Sequence, residues 1–246
     1  MTRLATFVIS LTVILTVILT VIGVVAVVPW VRLLTERPPP ARRYQTLILD
    51  SSLNHVAVIG DSYTAGSDEG GQGANGWPER AWQTLASRGV QVAADVAAEG
   101  GAGYGVPGNH GSVFEGLAAR AVHPDDVLVV FFGSRNDRDA DPEQLTRMIH
   151  DTLGLALWVT PSTRLLVIGP PWPTGDVPDT MLRVRDILDT EAHAVGAEFV
   201  DPIADGWFVD RPDLIGADGV HPTDAGHAYL ADKIVPLIGA QLPKQA

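Results

Sequence analysis

The chain has 246 residues, no cysteine and a formal net charge of −12. The missing thiol excludes disulfides, thiolate metal sites and cysteine nucleophiles. Residues 1–43 carry five arginines and one glutamate, which leaves 12 basic against 28 acidic side chains in 44–246, a net of −16 that argues against a nucleic-acid partner.

Residues 4–31 contain no charged side chain and are dominated by Val, Ile and Leu. A run of that length spans a hydrocarbon core of roughly 30 Å with some tilt. A cleaved signal has an apolar stretch of about 7–15 residues and a small-residue cleavage site, whereas this run ends Val27-Val28-Pro29-Trp30. The expectation is an uncleaved, single-pass membrane anchor at 1–36. Its repeated Leu-Thr-Val-Ile places Thr12, Thr16 and Thr20 on one stripe, read as lipid-facing rather than as a helix-packing seam. Arg3 stands before the span, and Arg32, Arg37, Arg42 and Arg43 follow it. The positive-inside rule would retain the folded part in the cytoplasm, while an exported role puts it outside; the extracytoplasmic placement is adopted. Residues 37–54, opening Arg37-Pro38-Pro39-Pro40, read as a stiff linker.

The folded domain is expected over 55–246. Apolar strand candidates at 56–59, 90–96, 127–132, 164–168 and 198–200 alternate with helical patterns at 77–88, 111–119, 142–157 and 179–195. A last helix is expected after Pro222, to about 238. Strands that are apolar almost throughout belong to parallel sheets covered on both faces. The alternation therefore predicts a layered α/β fold with ligands bound beyond the strands' carboxyl ends.

Directly after the first strand stands Gly60-Asp61-Ser62-Tyr63-Thr64-Ala65-Gly66. A serine on a tight strand-to-helix turn presents its hydroxyl at the sheet edge, beside backbone N–H groups, but it needs a base to become a nucleophile. Asp218-Gly219-Val220-His221-Pro222 offers one, with a carboxylate three residues away to orient the imidazole. Alone, Asp218 reads as a turn cap and His221 as an exposed histidine at a helix start; Ser62 at the right kind of turn reverses that preference. Donors for an oxyanion are available in the glycine-rich stretch 97–104 and in the side-chain amide of Asn136, within Gly133-Ser134-Arg135-Asn136-Asp137. Each also has a plain reading as turn chemistry.

Other motifs are weaker. Gly103-Tyr104-Gly105-Val106-Pro107-Gly108 matches a dinucleotide-binding spacing, but Pro107 intrudes and Asp125-Asp126 precedes the next strand where a ribose ligand should end it. The Gly-x-Ser-x-Gly elbow is absent, with Thr64 at its last position. No histidine pair has metal spacing, and His227 is expected on the surface of the last helix. Neither metal nor cofactor is called for. Trp172, Trp207 and Phe208 read either as packed loop residues or as a stacking surface for a sugar or acyl group, with packing preferred. The glycine-rich loop 67–75 is a candidate cleft wall.

Taken together, the four segments resemble the SGNH hydrolases, the GDSL-type esterase and lipase family, over roughly residues 55–235. The family serine falls on Ser62, its glycine on Gly101, its asparagine on Asn136, and its Asp-x-x-His-Pro block on Asp218 and His221. Tyr63 stands where leucine is commonest. The resemblance implies a three-layer α/β/α, flavodoxin-like fold with a mainly parallel five-stranded sheet. It implies catalytic Ser62, Asp218 and His221, and an oxyanion hole from Ser62, Gly101 and Asn136. The expected activity is hydrolysis of O-acyl esters of carbohydrates, lipids or small molecules through an acyl-enzyme. Two alternatives remain: acyl transfer to another hydroxyl at the same site, and a non-catalytic glycan-binding surface domain.

Overall fold

In a computed structural model of the chain, residues 53–243 are described. The expected anchor at 1–36 and most of the linker at 37–54 lie outside them. Among the described residues no helix is long and apolar enough to cross a membrane.

Among the described residues five strands, β1 (Asn54–Gly60), β2 (Val92–Ala98), β3 (Leu128–Phe132), β4 (Arg164–Ile168) and β5 (Glu198–Val200), pair in parallel in the order β2-β1-β3-β4-β5. Six α-helices connect them or follow the last: α1 (Ser62–Ala65), α2 (Trp77–Ser87), α3 (Phe114–Ala121), α4 (Pro142–Val159), α5 (Asp179–Ala194) and α6 (Asp224–Gln241). Strand side chains alternate between faces. Ala57, Ile59, Val129, Phe131, Leu165 and Val167 meet α3, α4 and α5. Val56, Val58, Leu128, Val130, Phe132, Leu166 and Ile168 meet α2 and α6. Each large apolar side chain so buried contributes about 1.5–3 kcal/mol. Helices cover both sides of the sheet, which gives three layers.

Local chemistry sets the boundaries. Asp141 caps α4 by accepting from Gln144 N–H, with Pro142 at the first helical position. Thr223 caps α6 through Gly226 N–H, so that helix begins at Asp224. The second strand starts two residues later than its apolar pattern suggests, because Val90 N–H still closes the end of α2 on Leu85. β2 also departs from the expectation of strands covered on both faces. It is an edge strand, half-exposed along its length, with Val96 41% exposed.

The strand order reverses between β1 and β3, whose carboxyl ends therefore open a crevice at the topological switch point. Ser62 follows β1 and Asn136 follows β3.

Candidate active site

Gly60 ends β1 and Asp61 caps α1, its buried carboxylate accepting Tyr63 N–H at 2.8 Å. Ser62 is thereby set at the first helical position, and its N–H meets no backbone acceptor among the described residues. Burial, opposed by that Tyr63 N–H and by the nearby His221, pushes Asp61 up to about 7.

Across the cleft, His221 Nε2 lies 3.0 Å from Ser62 Oγ, and His221 Nδ1 lies 2.5 Å from Asp218 Oδ2. Asp218 Oδ1 also accepts the backbone N–H groups of Val220 and His221, at 2.8 and 2.9 Å. Asp218 thus closes its own turn and orients the imidazole at once. Desolvation pulls this carboxylate upward, but the hydrogen bonds to the His221 ring and to the two N–H groups outweigh it and hold it down at about 2. Serine, histidine and aspartate form one hydrogen-bonded row, able to move a proton off the hydroxyl.

The glycine block and the asparagine block reach the same cleft as one unit. Asn136 donates its amide to Ala102 O at 2.8 Å, which leaves its second amide N–H for another acceptor. Asp137 accepts the N–H groups of Tyr104, Gly105 and Val106 and the Ser134 hydroxyl, all within 2.8–3.0 Å. Burial raises its pKa against the pull of those donors. A side chain at Gly103 would collide with this carboxylate, since a Cβ there would stand 2.4 Å from Asp137 Oδ2. Gly101 takes φ +81°, a conformation that L side chains rarely adopt. Its N–H, like that of Ser62, donates to no backbone carbonyl among the described residues.

Ser62, Gly101, Asn136 and His221 line one cleft of about 450 Å³ together with Gly66, Ser67, Asp68, Asn109 and Arg135. Only the start of the 67–75 loop borders it. The loop after β4 stands nearby through Trp172, which packs under the Arg135 guanidinium at 4.0 Å.

Several participants escaped the sequence reading. Tyr63, buried, donates its hydroxyl to Val220 O at 2.5 Å and so ties the residue after the serine to the residue before the histidine. Glu69 accepts Ala217 N–H at 3.0 Å and braces the same loop. Glu99 accepts from His110 and Ser112 N–H, folding residues 108–112 back so that Asn109 reaches the cleft. Asp137 was visible as a motif letter, but its partners lie about thirty residues away. Tyr63 was visible only as a departure from the commonest residue.

One expectation about a buried side chain is corrected. His227 is not on the helix surface: it is fully buried, takes a Trp77 N–H at 3.4 Å on Nδ1 and packs against the backbone at Gly71. Burial pushes it down to about 4. The preferred reading of Trp207 and Phe208 as packed residues holds: both belong to the core on the α6 side and offer no stacking surface to a ligand.

Comparison with known proteins places these features in context. The sequence profile described as the GDSL-like lipase/acylhydrolase family matches residues 58–229. A protein named GDSL lipase from Mycobacterium tuberculosis is 60% identical over 245 residues, covering 98% of this chain and 99% of that protein. Among solved structures, a lipase/acylhydrolase from Enterococcus faecalis superposes with a TM-score of 0.60 at 19% identity, covering 78% of this chain and all of the other. A family two carbohydrate esterase from Clostridium thermocellum, solved with cellohexaose, gives a TM-score of 0.59 at 15% identity, covering 76% of this chain and 64% of the other.

Proposed function

This chain belongs to the GDSL-like lipase/acylhydrolase family and is a hydrolase of ester bonds, and from that premise we propose a serine esterase that works through an acyl-enzyme on Ser62. His221 takes the Ser62 proton as the oxygen attacks the ester carbonyl, and Asp218 holds the imidazolium that forms. The N–H groups of Ser62 and Gly101 and the free amide N–H of Asn136 receive the oxyanion. His221 returns the proton to the leaving alcohol. Water, deprotonated by the same histidine, then releases the acid.

One observation carries this reading: the unbroken row from Ser62 Oγ through His221 to Asp218, at 3.0 and 2.5 Å, on a chain whose 60% identical relative is named a lipase. The open, polar cleft supports small or carbohydrate O-acyl esters as substrates. Residues 1–36 are proposed as the membrane anchor on the strength of the uncharged run 4–31, with the catalytic domain extracytoplasmic. Protease accessibility in intact cells tests the sidedness.

The decisive experiment is labelling with a fluorophosphonate alongside hydrolysis of 4-nitrophenyl acetate. Ser62→Ala should lose both, with turnover down by about 10⁶. Full activity in that variant would end the proposal.

A further inference from the structure

Arg135 is the cation of the cleft, and its charge is not spent on the protein. Of the part-buried arginines, Arg185 sits against Asp201 and Arg80 donates to Asn75 O, whereas Arg135 meets no carboxylate within ion-pair reach among the described residues. Its Nη1 is buried and has no hydrogen-bond acceptor there. Leaving a guanidinium half-buried without a partner is costly. In a domain with more than twice as many acidic as basic residues, a partner was readily available.

The side chain is also held in place. Its guanidinium stacks on the Trp172 ring at 4.0 Å, and the ring is fixed by a 3.0 Å bond from Nε1 to Asp176 O. Arg135 lines the cleft with the guanidinium so held, and its planar set of N–H donors is the chemistry that suits an oxyanionic group. Asp61 and Asp218 are the carboxylates whose charge acts on it most. Both are engaged elsewhere, Asp61 in capping α1 and Asp218 in orienting His221. Asp68 also lines the cleft, so Arg135 is the arginine of a lining that otherwise carries carboxylates.

We propose that Arg135, stacked on Trp172, forms a subsite for an anionic group carried by the ester substrate, a carboxylate or a phosphate. The proposal rests on the cleft being the ester-binding site, and it assigns the substrate class: esters with a negatively charged substituent near the scissile bond.

The test is binding to the full-length Ser62→Ala protein, which does not depend on turnover. Monomethyl succinate is compared with dimethyl succinate, and methyl 3-phosphonopropionate serves as a third arm to separate the two anion types. At least one charged ester should bind about tenfold or more tightly than the neutral one, as expected for a charge-assisted hydrogen bond. Adding Arg135→Gln should abolish the preference. Adding Arg135→Lys, which keeps a point charge but not the fork, should retain part of it and guards against misfolding of the glutamine variant. Equal or undetectable binding of charged and neutral esters, or a preference that survives Arg135→Gln, overturns the subsite. Failure of the wild-type chain to hydrolyse any ester, with the binding preference intact, would instead overturn the role given to Ser62.

Discussion

The turn that carries Ser62 and the loop that carries His221 face each other across 3.0 Å, yet different forces hold them. The serine turn is an extension of the sheet. It leaves β1, is capped by buried Asp61, and buries Tyr63 and Thr64 beneath it. The histidine loop lies nearer the surface, with the side chains of His221 and Asp218 28% and 36% exposed. Its own closure consists of the Asp218 turn and a 2.8 Å bond from Gly216 N–H to His221 O. The rest is supplied from the serine side, by Tyr63 at Val220 and Glu69 at Ala217. The nucleophile is placed by packing, and the base is placed partly by the nucleophile's neighbours.

The largest effect expected of a change in the histidine loop tests that loop's internal support. Asp218→Asn should keep the turn but lose the charge that stabilises the imidazolium, lowering kcat by about 10⁴. A drop of less than tenfold would show that the loop backbone alone orients His221.

The serine side reaches the oxyanion through Asn136. Asn136→Ala should lower kcat by about 10²–10³ with little change in KM. A change confined to KM would remove the amide from the oxyanion hole.

Tyr63→Phe removes one hydroxyl and sharpens the comparison directly. Loss of a single buried hydrogen bond of this kind costs about 1 kcal/mol. Turnover should fall several-fold to tenfold, KM should hold, and thermal unfolding should move by only a few degrees. If kcat stays unchanged, the histidine loop holds its own position.

The smallest effect is on stability. His227, under the loop that follows the serine turn, is pushed by burial from 6.5 down to about 4. Between those values the unfolded chain takes up a proton that the folded chain refuses. The contribution is complete above pH 6.5 and is lost as pH falls toward 4. Asp61 runs the other way. Raised from 3.8 to about 7, it favours the folded state at low pH, and its contribution is lost as pH rises through that interval. Urea midpoints of the wild type and His227→Gln, compared between pH 7 and 4.5, separate the two. The wild type should lose more stability on acidification than the variant; equal losses would show that His227 is protonated without penalty.

Element order, the parallel sheet, the positions of Ser62 and Asn136 beyond strand ends and those of Asp218 and His221 just before the last helix were legible in the sequence, because each rests on local information. A run such as 128–132 is apolar wherever it lands, and Gly60-Asp61-Ser62 makes its turn from its own residues. The boundary of β2 was less legible, since Val90 is equally suited to a strand and to the closing bond of α2. Tertiary structure alone decided the burial of His227, the clamp from Tyr63 to Val220, the service of Asp137 to the glycine block and the seating of Arg135 on Trp172. These contacts join residues from 31 to 157 positions apart. The energy of such a contact depends on which surfaces the folded layers bring together, a quantity that no local pattern of residues contains.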